Sequence, residues 1–71
     1  MNDLNDLDVS EFMEEGDFEG QGKTFDEACE KAWEKAKAAN HPSGTWCKVK
    51  HQWVKMVNPI SEHKVIITPG G

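Results

Sequence analysis

The chain has 71 residues, 37% hydrophobic and 30% charged, with a formal net charge of −5 at pH 7. Such a length holds one small domain, whose core usually needs a staple, a metal or a partner to supplement it. No apolar run approaches the ~18 residues of a membrane span, and no basic stretch leads into an apolar one as in a secretory signal. A cytoplasmic protein without a membrane partner is therefore expected.

Charge is unevenly spread. Residues 1–19 hold Asp3, Asp6, Asp8, Glu11, Glu14, Glu15, Asp17 and Glu19 and no lysine, whereas the remainder carries eight lysines against five acids. The acidic arm either lies against the basic body or remains a solvated tail. An overall negative chain lacks the basic footprint that nucleic acid requires. The absence of arginine removes bidentate clamps on carboxylate or phosphate. Cys29 and Cys47 have neither C-x-x-C spacing nor a nearby His/Cys pair, so they read as small buried hydrophobes rather than zinc ligands.

Residues 1–9 show no sustained apolar period and are expected to form a disordered acidic tail, leaving 10–71 as the single domain. Residues 10–22 read as a strand, with Phe12, Gly16, Phe18 and Gly20 on one parity. Glycine within a strand marks a bulge or the close approach of another element. Thr24-Phe25-Asp26-Glu27 is a T-x-x-E capping box and predicts a helix start. Phe25, Cys29, Ala32 and Ala36 give that helix an apolar stripe, widened by Ala28, Trp33 and Ala39. Asn40-His41-Pro42 ends it.

Residues 45–57 predict a long strand. One parity holds Cys47, Val49, His51, Trp53 and Val57; the other holds Trp46, Lys48, Lys50, Gln52, Val54 and Met56. The alternation blurs after Trp53, which fits a bulge or burial on both faces. Asn58-Pro59-Ile60-Ser61 reads as a turn. Residues 62–68 form a β-branched strand, with His63 expected opposite Met56 or Val57 rather than His51. The predicted class is α+β, in β-α-β-β order, with a three-stranded antiparallel sheet packed on one helix.

Catalytic constellations are weak. His41, His51 and His63 do not converge, and Cys47 and His51 stand roughly 13 Å apart along one strand, too far for a nucleophile–base pair. No enzyme activity and no metal are expected. The row Trp46, Lys48, Lys50 and Gln52 is more informative, because it would occupy the sheet face that a single helix leaves uncovered. A ring, two cations and an amide suit a flat anionic ligand. The same face, with Val54, Met56 and Ile66, could instead pack against a second subunit; both readings imply a homo-oligomer.

The chain resembles the dodecins, small flavin-binding proteins, over residues 12–68. The resemblance rests on Gly22-Lys23-Thr24-Phe25-Asp26-Glu27-Ala28, on the alanines at 28, 32 and 36, and on a long second strand opening near Trp46. It implies a β-α-β-β chain that assembles into a hollow homo-oligomer and holds flavin, as FMN or riboflavin, between tryptophans. Trp46, Lys48, Lys50 and Gln52 are then the flavin-binding residues. The family's strand-three glutamine has no counterpart in residues 62–68, and the acidic arm is extra. A cofactor-free oligomerisation or protein-interaction module is the alternative function.

Overall fold

The computed structural model describes residues 7–70, and the helix in it starts at the Thr24 cap. Thr24 Oγ1 accepts from the Glu27 N–H at 3.0 Å, while Glu27 Oε1 reaches back to the Lys23 N–H at 2.6 Å. The reciprocal bond thus falls one residue before the cap, and the Glu27 N–H is the orphan helix donor that the cap satisfies. Helix α1 runs Phe25–Ala38. Asn40 ends it in the left-handed region (φ 73°). Its N–H donates to Lys37 O, and that of His41 donates to Ala36 O, the paired bonds of a Schellman motif.

Strands β1 (Phe18–Gly22), β2 (Cys47–Val54) and β3 (His63–Pro69) form one antiparallel sheet in the order β1-β3-β2. One helix on a three-stranded antiparallel sheet is the α+β, β-α-β-β class expected. The predicted tail lies outside the described residues for 1–6. At its end Val9 is buried, so packing begins just before residue 10.

The strand expected over 10–22 survives only as 18–22. Asp8 accepts from the Ser10 N–H and Oγ–H and opens a 3-10 turn at Val9–Phe12. Glu14 and Asp17 then bond to each other around Gly16, whose φ of 93° suits glycine alone. Local side-chain bonds outcompete the extended ladder here. Phe12 and Phe18, assigned to one strand face, end on opposite sides of the sheet.

The helix sits over β1 and β3 because Gly20 lets it. A Cβ at Gly20 would collide with the backbone of Ala28 and Ala32. Ala28 and Ala32 in turn present only methyl groups, and both are fully buried with Val65 and Ile67. Phe18, Phe25, Cys29 and Cys47 pack around that cluster. Of the stripe read from the sequence, Ala28, Ala32 and Ala36 are buried, Phe25, Cys29 and Trp33 are half-buried, and Ala39 is exposed.

Strand β3 is central and buried on both faces: Val65 and Ile67 face the helix, and Ile66, also with no exposed surface, faces the other way. The outer face is consequently not open, contrary to expectation. Residues 7–17 cross it. Phe12 lies against His51 and Trp53, and Leu7 O accepts from Lys64 Nζ at 2.9 Å. Burying Ile66 contributes about 1.5–3 kcal/mol.

Strand β2 is shorter than the predicted 45–57, and His63 pairs with Val54 rather than Met56 or Val57. Val57 N–H donates to Lys55 O at 2.9 Å, which turns the chain early. Met56 and Val57 are left exposed in the connection.

Candidate functional site

The chemistry-bearing residues of the sequence concentrate on β2 and its flanks, and one irregularity decides where each points. The pairing of β2 with β3 slips between Val49↔Ile67 and His51↔Ile66, leaving Lys50 as a bulged residue. A bulge inserts one residue and reverses the alternation beyond it. The bulge thus lies at Lys50, not after Trp53 as the fading pattern implied. Lys48, His51 and Trp53 pair with Thr68, Ile66 and Lys64 on the outer face; Cys47, Val49, Gln52 and Val54 lie on the helix side.

The row Trp46, Lys48, Lys50 and Gln52 is therefore not a row. Trp46 precedes β2 and is 89% exposed. Lys48 is exposed on the outer face and has no ion-pair partner among the described residues. Gln52 has crossed to the helix side. Lys50 is occupied: its Nζ donates to Asp17 Oδ2 at 2.8 Å and to Glu14 Oε1 at 3.3 Å. Val54 and Ile66, expected beside Trp46 at a subunit contact, lie on opposite faces, and Ile66 is sealed within the chain.

The question of the acidic arm is also answered here, since part of it lies against the basic body: Glu14 and Asp17 on Lys50, and Glu19 on Lys35 at 2.9 Å. The Asp17 side chain is only 2% exposed. The Lys50 ammonium, and secondarily the Glu14 N–H, hold the Asp17 carboxyl below its usual pKa despite the opposing effect of burial. The same hydrogen bond to Asp17 raises Lys50. Sequence reasoning missed this clasp because its partners stand 33 residues apart.

Two concavities flank β2. A cleft of about 260 Å³ is walled by Trp53 and the last residues of β2, but its polar groups satisfy one another. Gln21 Nε2 donates to Glu62 at 2.7 Å, and Lys55 pairs with Glu62 at 3.3 Å. Beside it, His51 and Trp53 stack at 5.5 Å with Phe12 tilted across both. A groove of about 350 Å³ opens on the helix side between α1 and β2. Cys29, Trp33, Cys47 and Val49 line it, and burial pushes the Cys29 thiol above its ordinary pKa, helped by the Asp26 charge and by Cys47.

The histidines remain apart, as expected: His51 pairs with Ile66, and His63 with Val54 and Gly22. His63 Nδ1 is buried without a hydrogen-bond partner. Among the described residues no helix is long and apolar enough to cross a membrane. No family model, curated protein or solved structure matches the chain.

Proposed function

We propose that this chain is a cofactor-free homo-oligomerising module that associates through the β2 side of its sheet. The observation that carries the reading is the exposure of β2: it is an edge strand outside the cover of the helix, with Trp46 89% and Met56 82% exposed at its two ends. Val49, Val57 and Ile60 add exposed apolar surface nearby. An edge strand with an unpaired ladder and large apolar groups around it is a template for a second chain. Light scattering at micromolar concentration tests this. The expected mass is a multiple of 8.0 kDa, with Trp46→Ala and Met56→Glu shifting the population toward monomer. A monodisperse wild-type monomer overturns the proposal.

A second reading, a dodecin-like protein storing or sequestering flavin, is favoured by one feature. Trp46 offers a free indole face, and Lys48 stands two residues on with no ion-pair partner among the described residues. Ring stacking would contribute ~1 kcal/mol per pair beyond area burial. Lys50 and Gln52 take no part in this reduced platform. Titration with riboflavin and FMN should then quench tryptophan emission in the wild type and not in Trp46→Ala. Unquenched emission at tens of micromolar flavin in an assembled sample sinks it and leaves the module.

A further inference from the structure

The segment that crosses the outer sheet face makes its hydrogen bonds and ring contacts there to two lysines and two aromatic side chains. Glu14 Oε1 and Asp17 Oδ2 accept from Lys50 Nζ at 3.3 and 2.8 Å. Leu7 O accepts from Lys64 Nζ at 2.9 Å. The Phe12 ring stands 5.5 Å from His51 and 5.3 Å from Trp53. Beneath it those two rings are nearly parallel, with 17° between their planes. Lys48 is exposed on the same face without an ion-pair partner among the described residues. The strands add one carboxylate to that face, Glu19 opposite Ile66, and Lys35 engages it. The overall charge of −5 conceals this division, because residues 20–71 hold eight lysines against five acids.

The segment gives this face anionic oxygens for its lysines and a flat ring for its aromatic pair. Single-stranded nucleic acid gives the same two things in every unit, a phosphate and a base. An acidic peptide supplies the charge but brings a ring only at occasional residues. A lysine ammonium is a point charge and takes a phosphodiester without the bidentate geometry that arginine imposes. Stacking on aromatic side chains is tolerant of sequence, because every base has a flat face. Asp17 is buried next to β1 and anchors the segment, whereas Leu7, Phe12 and Glu14 are themselves exposed. The part over the rings is thus the part a ligand can displace, and stacked bases would cover Ile66 in its place.

We propose that the outer face around His51 and Trp53, with Lys48, Lys50 and Lys64, binds single-stranded nucleic acid, and that residues 7–14 occupy it as an intramolecular competitor. Phe12 holds the place of a base and Glu14 that of a phosphate. Lys50 keeps Asp17 and takes a phosphate where Glu14 was. Because the segment must leave first, the affinity of the intact chain is lowered in proportion to the fraction of molecules with the face open. The site lies on one chain and stands or falls apart from the association proposed above.

The test is fluorescence anisotropy of a labelled oligothymidylate of about eight nucleotides, within the usual span of single-strand sites, titrated with the full chain and with full-chain variants. Phe12→Ala combined with Glu14→Gln releases the segment and leaves Asp17 in place. The released variant should bind at least about 10-fold more tightly than the wild type at low salt. Its log affinity should fall with log salt at a slope of about −1.4 to −2.1, the value for two or three neutralised phosphates. In that background Trp53→Ala should abolish the gain. Lys48→Ala, at an exposed position without a partner, should weaken binding and flatten the slope by about 0.7. Glu30→Gln on the exposed side of α1 makes the same charge change and should give no gain. Circular dichroism confirms the fold of each variant, and Phe12→Ala alone replaces the double variant if that one unfolds. No gain in a folded released variant overturns the proposal, as does an equal gain in Glu30→Gln or a gain indifferent to both Trp53 and Lys48. Binding of a labelled peptide of residues 8–17 to the released variant without binding of the oligonucleotide also overturns it, in favour of an acidic peptide.

Discussion

The β1 and β2 sides of the sheet both flank the same buried strand, but only the first is covered by the helix. On the β1 side Gly20 meets Ala28 and Ala32, and the backbones come into direct contact. On the β2 side the groove remains, and Val49 is 40% exposed although it pairs with the buried Ile67. The helix is drawn to the side where side chains are smallest, because close approach maximises contact there. The uncovered strand is the consequence, and with it the surface on which both functional readings depend.

The largest expected effect comes from filling the contact on the β1 side. Gly20→Val should cost at least about 4 kcal/mol, since the obstructing atoms are helix backbone and cannot rotate away. Chemical denaturation followed by circular dichroism measures it. A mild loss would mean that the helix can slide toward β2, and the asymmetry would then be a preference rather than a constraint.

A smaller effect should separate the buried central strand from the exposed edge strand beside it. Ile66→Ala should cost about 3 kcal/mol, because its side chain is sealed beneath the N-terminal segment. Val49→Ala should cost under about 1 kcal/mol at its half-open position. Equal losses in a dilute sample would show that β2 is as well covered as β3, which only a second copy could provide.

How far these features were legible in the sequence depended on the range of the interactions that make them. The helix start was readable because the Thr24–Glu27 bonds lie within four residues. The alanine stripe and the glycine in β1 were also local signals, and Gly20 as a site of close approach followed from its place in a strand. The acidic turn at 14–17 was read as strand because side-chain bonds from Asp17 to the Glu14 N–H compete invisibly with an alternating pattern. The bulge was misplaced for a different reason. Alternation can be counted only until an extra residue enters, after which every later residue changes face. Trp46 and Lys48 were assigned before that point. Gln52 and Trp53 exchanged faces after it, and the proposed four-residue platform dissolved.

The smallest effect at neutral pH, and the one that tests what fixes the bulge, concerns Lys50 and Asp17. The clasp joins the segment covering the outer face to the bulged residue of the otherwise exposed strand. Asp17 titrates below its ordinary value of 3.8 in the folded chain. A carboxyl with a depressed folded pKa stabilises fully above its unfolded value and loses that contribution as pH falls through the folded one. Lys50, raised from 10.5, shows the opposite sign and loses its contribution only as pH climbs beyond that value. The melting midpoint should therefore carry no Asp17-dependent slope from neutral pH to about 5, then gain one below pH 4. Asp17→Asn keeps the shape and a hydrogen-bonding group but not the charge, so it should lower the midpoint at pH 7 and flatten the acid slope. Lys50→Met should flatten that slope as well, since the carboxyl then loses the ammonium that depresses it. Thermal melts of the three proteins between pH 3 and 7 decide the matter. Parallel curves would mean that the bulge is held by the β2–β3 ladder alone and that the acidic segment merely lies over it.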